Sequence, residues 1–431
     1  MAAPNRGRRL LLAALPALLL PVRLTAANLV VAPDRVGHAL APWQPGWLDI
    51  HHIATGRGNS TFVLLPDGTS LLIDAGASLN ALDVSVAPRP DGSRRPGEWI
   101  ARYARRQLAV ARLDEVLDYL LATHLHPDHT GDVAPDAPRS ALGAYRLGGV
   151  TDVAEALPVR TLVDRGYPDY AYPASIAAPF ADNYRAFVAA RREAGLTVER
   201  FRVGSALQIA GRGHRPAPRA FDVRNVAANG EVWTGRDDAT RKLFPDLASI
   251  PRADWPNENQ CSAAIRIGYG PFSYFTAGDL TSYTMDGALP WHDVLGPAAQ
   301  AAGPATVATA DHHGMFDGLN AGIVRTLRPR AWVIPSWHIA HPDMLQLERM
   351  FSERLYPGPR DVFATTVMRE NLLANGRLTK RLRSHDGHVI VRVMPGGERF
   401  YVVVTDNGNE SDTVKSLTGV MHTASAATPD T

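Results

Sequence analysis

Three histidines and an aspartate lie within six residues of one another, directly after the segment 117–122, which is predicted to be a buried strand. They are His124, His126, Asp128 and His129. In an extended backbone, residues two apart point the same way, so His124 and His126 can direct both imidazoles at one metal ion. Pro127 then turns the chain, and Asp128 and His129 suit a second ion such as Zn²⁺. Packing alone would leave four desolvated polar groups without partners, so the cluster predicts a two-metal site.

A site of this kind supports hydrolysis without a nucleophilic side chain. Two cations about 3.5 to 4 Å apart can share a hydroxide whose pKa is brought near neutrality. That hydroxide attacks a carbonyl or phosphoryl centre while a cation polarises the scissile oxygen. The single cysteine, Cys261, precedes an apolar segment, so we expect it to be a small buried side chain, and it excludes an intramolecular disulfide.

The elements around the cluster follow from periodicity and turn residues. Extended segments are predicted at 47–53, 61–65, 70–73, 117–122, 263–267, 273–276, 306–309, 331–334, 389–393 and 400–404. Helical patterns are predicted at 98–113 and 181–194. Because strands gather toward both ends with helices between them, we expect an α/β protein in which two sheets pack together with helices outside.

The segment 124–129 resembles the His-x-His-x-Asp-His signature of the metallo-β-lactamase superfamily, and companion segments follow in the expected order. LLIDAG at 71–76 is similar to the strand end whose aspartate is usually structural. YFTAGD at 274–279 is similar to the strand that delivers a bridging aspartate, and ADHHG at 310–314 to the strand end that delivers a final histidine. The resemblance implies the four-layer αβ/βα sandwich of the metallo-β-lactamase fold.

The resemblance also implies a set of metal ligands and catalytic groups. The implied metal ligands are His124, His126, Asp128, His129, Asp279 and the doublet His312-His313. Either histidine of the doublet could be the ligand. Asp279 would bridge the cations, and Asp128 would orient the attacking water and accept its proton. The expected cofactors are two divalent ions, with Zn²⁺ the expected metal.

The doublet and the segment NENQCS at 257–262 most resemble one branch of the superfamily. That branch includes the hydrolase domain of the bacterial competence DNA-uptake channel and the secreted phosphorylcholine esterase of the pneumococcal surface. Both handle phosphodiesters, so the expected substrate is a phosphodiester or related ester. Lactone, thioester or β-lactam hydrolysis stays an alternative. So does a non-catalytic exported metal-binding protein, because typical β-lactamases place another histidine ligand where this chain has Asn257, Asn259 and Gln260.

Four further residues are candidates for substrate binding. His338 and His341 follow the strand predicted at 331–334, where related enzymes often place a histidine that contacts substrate or metal. In the loop 55–59, Arg57 could grip an anionic oxygen and Asn59 could line the pocket. The geometry of the loop would explain its glycines equally well.

The N-terminal 27 residues have the form of a secretory signal peptide. Arg6, Arg8 and Arg9 precede an apolar run at 10–20, and small residues follow at 25–27. The run is about half of what a spanning helix needs, and an uncleaved signal anchor is the alternative. We therefore expect a periplasmic or secreted protein without membrane attachment after cleavage.

The remaining chain is expected to form a single domain at 28–405 with a long insertion at about 133–257. The polar segment 406–431 predicts a disordered tail. Because 45 Lys and Arg nearly balance 43 Asp and Glu, the charge gives no reason to expect a stable nucleic-acid partner. The expected partner is a small-molecule or phosphodiester substrate.

Overall fold

The computed structural model describes Met1, residues 32–80 and residues 82–423 of the 431-residue chain. The signal peptide expected at 1–27 lies outside the described residues, apart from Met1, as do residues 424–431 of the predicted tail. The described residues from Ala32 onward belong to one compact unit. In this part of the chain, no helix is long and apolar enough to cross a membrane.

The strands and helices have the following bounds. The strands are β1 Leu48–His52, β2 Thr61–Leu64, β3 Ser70–Ile73, β4 Leu117–Ala122, β5 Val159–Asp164, β6 Thr197–Arg200, β7 Phe221–Ala228, β8 Glu231–Trp233, β9 Thr240–Lys242, β10 Ala264–Tyr269, β11 Phe272–Thr276, β12 Val307–Thr309, β13 Ala331–Ile334, β14 Asp361–Ala364, β15 His388–Val393, β16 Arg399–Thr405, β17 Val414–Leu417 and β18 Met421–His422. The α-helices are α1 Pro96–Val110, α2 Pro127–Thr130, α3 Val150–Ala156, α4 Pro179–Glu193, α5 Leu295–Ala302, α6 Ala321–Leu327, α7 Met344–Met350, α8 Arg369–Ala374 and α9 Gly376–Thr379.

These strands form two sheets. The first has the order β17-β16-β15-β1-β2-β3-β4-β5-β6, with β18 also pairing with β16, and the second has the order β14-β13-β12-β11-β10-β7-β8-β9. Strands β3 to β6 run parallel to one another, and so do β11 to β14. Within each parallel set the carboxyl ends of the strands therefore share one edge, where functional loops commonly lie.

Each central strand is buried on both faces. In β3, Leu71 and Ile73 belong to the core between the sheets, and Leu72 belongs to the core beneath α1, α3 and α4. In the second sheet, Val333 of β13 faces the shared core, while Trp332 joins the outer core with α5, α6 and α7. Three apolar layers therefore separate four structural layers, which confirms the α/β class and the αβ/βα sandwich predicted from the sequence.

The predicted bounds of β3, β4 and β13 are confirmed residue for residue. The first predicted helix begins two residues earlier than expected, at Pro96, because proline is well suited to a first helical position whose N–H would have no partner in the helix. The second begins at Pro179 for the same reason and is followed by Gly195 at φ 96°.

Residues 133–257, predicted to be an insertion, supply strands to both sheets. β5 extends the first sheet beside β4, and β7 pairs with β10 in the second sheet. β6, β8 and β9 then continue the two sheets to their edges. This region is thus part of the sandwich, because its strands join both sheets.

The disordered tail predicted from residue 406 is wrong for residues 406–423. β17 pairs with β16, and Asp412 accepts a hydrogen bond at 3.0 Å from Arg106 of α1. Glu410 forms ion pairs with Arg102 and Arg106. The polar composition of this segment reflects carboxylates that pair with α1 just before a strand at the edge of the sheet.

Candidate metal centre

The cluster found in the sequence lies where the ends of the two sheets meet. His124 and His126 follow β4 of the first sheet, and Asp279 follows β11 of the second. The N–H of Ala263, just before β10, donates to the carbonyl oxygen of Thr123 at 2.9 Å and joins the two sheet ends. Candidate ligands from distant parts of the sequence therefore reach one place.

A first group of donor atoms consists of His124, His126 and Asp279. His124 Nε2 lies 3.1 Å from His126 Nδ1 and 3.7 Å from Asp279 Oδ2. His124 and Asp279 are buried, whereas His126 is half-buried and closes the group on its outer side.

A second group consists of Asp128, His129, His313 and again Asp279. His313 Nε2 lies 3.0 Å from Asp128 Oδ2 and 3.3 Å from His129 Nε2. Asp279 Oδ1 lies 3.1 Å from His129 Nε2 and 3.5 Å from His313 Nε2. The two oxygens of Asp279 thus face two different sets of donors, as a bridging carboxylate requires.

The donor set fits divalent cations. Nitrogen and oxygen ligands about 2.0 to 2.1 Å from a tetrahedral Zn²⁺ lie about 3.3 Å from one another. Six donor separations within the two groups, from 3.0 to 3.7 Å, surround that value. Imidazole and carboxylate donors also suit several other divalent ions, so this chemistry indicates divalent metal without selecting one element.

Asp74 fixes the orientation of His129, a member of the second group. It follows β3 at φ 58° and accepts hydrogen bonds from the N–H and the hydroxyl of Thr123, both at 2.8 Å. His129 Nδ1 lies 2.7 Å from Asp74 Oδ2, and because a carboxylate only accepts, Nδ1 carries the proton. The lone pair of His129 Nε2 is thereby turned toward the donor group.

Two glycines allow the segment 124–129, the metal loop, to pack closely against its neighbours. A Cβ atom at Gly58 would lie 2.3 Å from the carbonyl oxygen of Asp128, and one at Gly76 would lie 2.0 Å from it. The N–H of Asn59 donates to the same oxygen at 2.8 Å. Close backbone approach therefore explains these two glycines.

The histidine doublet divides into two positions. Both residues have left-handed backbones, at φ 51° for His312 and 53° for His313, and their imidazoles diverge. His313 belongs to the second group, and its Nδ1 donates to the carbonyl oxygen of Pro335 at 2.8 Å. His312 Nδ1 lies 2.7 Å from Asp317 Oδ1, while its Nε2 lies 3.9 Å from Asp279 Oδ2, just outside the first group.

Burial and neighbouring charges set the protonation of these residues. Burial, followed by the nearby His129, holds the pKa of His124 well below its usual value, which favours the neutral imidazole that metal ligation requires. Burial alone would raise the pKa of Asp279, but His129 and His313 lower it well below the usual range. Burial alone would lower the pKa of His129, and the carboxylates of Asp279 and Asp74 raise it instead. A cation bound here would supply the positive charge that a proton on His129 otherwise supplies to these carboxylates.

The two histidines predicted for substrate binding lie beside the second group. The ring of His341 stacks on that of His313 at 4.8 Å between centroids and 17° between planes, and it is buried. Its Nδ1 has no hydrogen-bond partner among the described residues. The ring of His338 lies 5.4 Å from that of His341, and both histidines contact Trp337.

Arg57 and Asn59 take different positions. Arg57 Nη1 donates to the carbonyl oxygen of Val86 at 2.6 Å and braces its own loop, and no hydrogen bond within the described residues joins it to the two donor groups. Asn59 Nδ2 donates to Asp74 Oδ2 at 3.2 Å, which places this buried side chain behind the metal loop. The structure thus gives both residues supporting contacts.

Several residues that contact the candidate site were not identified from the sequence. Asp317 holds His312, Trp337 lies against His313 and His341, and Glu258 contacts the metal loop. Glu258 stands within the segment 257–262, which the sequence analysis had singled out for its missing histidine. Asp317 and Trp337 lie in irregular loops, where no periodic pattern marks them.

No protein-family model matches the chain, and no curated protein matches it. Among solved structures, it is similar to a protein from Parabacteroides distasonis assigned as a metal-dependent hydrolase, at 12% identity and a TM-score of 0.35, covering 74% of this chain and 92% of that one. It is also similar to the metallo-β-lactamase fold protein YhfI from Bacillus subtilis, at 12% identity and a TM-score of 0.32, covering 79% of this chain and 95% of that one. Both similarities are distant, and the fold described above rests on its own strand order and cores.

Proposed function

We propose that the protein is an exported dinuclear metal-dependent hydrolase of the metallo-β-lactamase superfamily that cleaves a phosphodiester or a related ester. The observation that carries this proposal is the position of Asp279, whose two carboxylate oxygens face two separate groups of histidine and aspartate donors. A purely structural role would not require one carboxylate to be shared by two such groups.

Divalent cations held by these groups would polarise an ester oxygen and lower the pKa of a water molecule toward neutrality. Asp128 is the member of the second group best placed to act on that water, because its side chain is 17% exposed while those of His129 and His313 are at most 3% exposed. Burial alone would raise the pKa of Asp128, but His129 and His313 lower it, so the carboxylate is ionised and can accept a proton.

The other residues hold the imidazoles in fixed orientations. Asp74 keeps the proton on Nδ1 of His129, and the carbonyl oxygen of Pro335 does the same for His313. The carboxylate of Asp317 orients His312 beside Asp279. For His129 and His313, the fixed tautomers leave the Nε2 lone pair directed inward without reorganisation when the site is filled. His312 Nε2 instead lies 3.2 Å from Asn259 Nδ2, which can donate to it.

The substrate is proposed to enter beside His338 and His341. Their loop is bonded to the segment 84–86, with the N–H of Val86 donating to the carbonyl oxygen of Trp337 at 2.9 Å. A neighbouring cavity of about 340 Å³ is lined by apolar residues such as Val367 and Leu372, by Arg369, and by Arg89, which lies 3.8 Å from Asp386 of the same lining. An ester that carries an apolar group suits this lining, and Arg369 is the cation that favours an anionic ester.

The proposal of export is supported by the arginines, the apolar run and the small residues of the first 27 positions. Cell fractionation of the full chain tests it. We expect the mature form in the periplasm or medium, shortened by about the length of a signal peptide. Full-length protein retained in the cytoplasm would contradict export and leave the proposed chemistry intact.

The hydrolase proposal is tested with the purified chain loaded with Zn²⁺. The substrates are bis-(p-nitrophenyl) phosphate, nitrocefin and a panel of lactones, and the bound metal is counted by mass spectrometry. We expect two metal ions per chain and turnover of the phosphodiester above that of the other substrates. Full metal occupancy with no turnover of any substrate would favour a metal-binding protein without catalysis.

Asp279→Ala is the test variant and Asp361→Ala its matched control. Asp361 is also a buried aspartate of the second sheet, but it begins β14 at the opposite edge and pairs with Arg330 and Arg383. We expect Asp279→Ala to lose both metal ions and activity, and Asp361→Ala to keep both. Equal losses in the two variants would show that general destabilisation, and not the shared carboxylate, explains the effect.

A further inference from the structure

A buried ion pair lies directly beside the metal loop. Arg165, the residue after β5, is about 1% exposed and its Nε donates to Glu258 Oε1 at 2.7 Å. Arg165 Nη2 also pairs with Glu258 Oε2, so the contact is bidentate. Because charged side chains are rarely buried unless paired, this pair indicates a place where a fixed carboxylate is required.

The Glu258 carboxylate also contacts the backbone between two candidate ligands. Its Oε1 accepts a hydrogen bond from the N–H of Leu125 at 2.7 Å. Leu125 stands between His124 and His126, and its own side chain is buried beneath the first sheet. The carboxylate therefore fixes the one residue that sets the separation of the two imidazoles.

Arg165 holds this carboxylate in a framework of several segments. Its Nη1 donates to the carbonyl oxygen of Tyr172 at 2.8 Å and to Asn229 Oδ1 at 3.1 Å. Asn229 Nδ2 returns a hydrogen bond to the Arg165 carbonyl oxygen at 2.8 Å, and the Asn229 N–H donates to the carbonyl oxygen of Cys261 at 3.1 Å. Glu258 is thus braced by β5, by the turn after β7 and by its own segment.

We propose that Glu258 is a positioning residue that sets the affinity of the first donor group, His124, His126 and Asp279, for its cation. The segment in which another histidine ligand was expected supplies in its place a carboxylate that holds the metal loop. The second group has separate supports, Asp74 and the carbonyl oxygen of Pro335, so the effect falls on one cation. The inference rests on the metal centre of the proposed function but not on its substrate.

The test compares two double variants that both remove the buried charges. Arg165→Met with Glu258→Gln keeps an oxygen that can accept from the Leu125 N–H, and Arg165→Met with Glu258→Met does not. Chelator competition with Zn²⁺ measures both dissociation constants, and Co²⁺ absorption spectra identify each group by comparison with His126→Ala and His313→Ala. We expect the Met variant to bind the first cation about 10- to 100-fold more weakly than the Gln variant, with the second cation unchanged.

Two additions keep the result decisive. If the Met variant does not fold, Arg165→Met with Glu258→Asn replaces it, because that amide is one methylene too short and the same loss is expected. The control is Asp49→Asn, which disturbs the equally buried pair of Asp49 and Arg392 at the far end of β1. Equal affinities in the Gln and Met variants, equal weakening of both cations, or a selective loss in Asp49→Asn would each overturn the proposal. Absence of hydrolytic activity would not affect it.

Discussion

Replacing Asp74 by asparagine should weaken one cation and leave the other in place. Asparagine matches the shape of aspartate and tolerates the left-handed backbone at φ 58°, so the change adds little strain. Its amide oxygen can still accept from the N–H of Thr123, as Asp74 Oδ1 does at 2.8 Å. The amide nitrogen, however, would face His129 Nδ1, which now donates to Asp74 at 2.7 Å.

To accept from that amide, His129 must move its proton from Nδ1 to Nε2, and this blocks the nitrogen that faces the second donor group. Loss of such a supporting partner typically lowers metal affinity about 10- to 100-fold, which corresponds to about 1.4 to 2.7 kcal/mol. His129 belongs to the second group alone. The loss should therefore appear in one of two dissociation constants, measured by chelator competition with Zn²⁺.

Asp118→Asn is the matched control. Asp118 is a buried aspartate near the opposite end of β4. Like Asp74, it accepts hydrogen bonds from a backbone N–H and a hydroxyl, here both of Ser70, at 3.0 and 3.2 Å. It also lies 2.9 Å from a histidine nitrogen, His214 Nε2. We expect this variant to lose stability but keep both cations. Wild-type affinities in Asp74→Asn, or the same loss in Asp118→Asn, would refute the reasoning about the tautomer.

Three further predictions concern the fold. Burial lowers the pKa of His52 and of His388 to about 3, whereas unfolded histidine titrates near 6.5. These two histidines should therefore not affect the free energy of unfolding above pH 6.5. Between pH 6.5 and pH 3, each should lower it by up to about 1.4 kcal/mol per pH unit. Urea denaturation of the double variant His52→Gln/His388→Gln should show a smaller decrease over this range than the wild type. Burial raises the pKa of Cys261 to about 12, so iodoacetamide at pH 8 should label the unfolded chain and not the native one. Leu121→Ala in the core between the sheets should cost about 2 to 5 kcal/mol, and a urea midpoint unchanged from wild type would contradict this position.

The parts of the fold that were predictable are those that short segments determine. The run at 117–122 is apolar except for Asp118 because β4 is buried on both faces, with Leu120 in the outer core and Leu121 in the inner one. The turn at Pro66-Asp67-Gly68 fixes the pairing of β2 with β3 over four residues. The pattern of apolar residues and the turn residues act over short segments, so these features can be predicted from the sequence alone.

The order of the strands was not predictable in the same way. β1 pairs with β15, and Ile50 lies opposite Val391, more than three hundred positions later in the sequence. β17 is a strand because it pairs with β16, and the arginines of α1 hold the segment before it through Glu410 and Asp412. Long-range partners determine such elements, and a single sequence does not name the partners.

The candidate site shows the same division. Spacing along one strand end was enough to predict that His124 and His126 face one group, because extended backbone alternates its side chains. Which histidine of the doublet faces the donor groups could not be predicted from the sequence. Both His312 and His313 adopt left-handed backbones, which are uncommon for residues other than glycine. Asp317 and Glu258 were missed because each acts through a contact made only when the loops fold together.

The arrangement of the donors links the metal centre to the sandwich itself. Each group combines residues that follow strands of both sheets: His124 and His126 come from the first and Asp279 from the second. In the second group, Asp128 and His129 come from the first sheet, while Asp279 and His313 come from the second. A cation bound to either group would therefore hold the two sheet ends together, and it would bind the native state far better than the unfolded chain. At a concentration one hundred times its dissociation constant, one such ion stabilises the native state by about 2.7 kcal/mol, so stability and metal content should vary together in this protein.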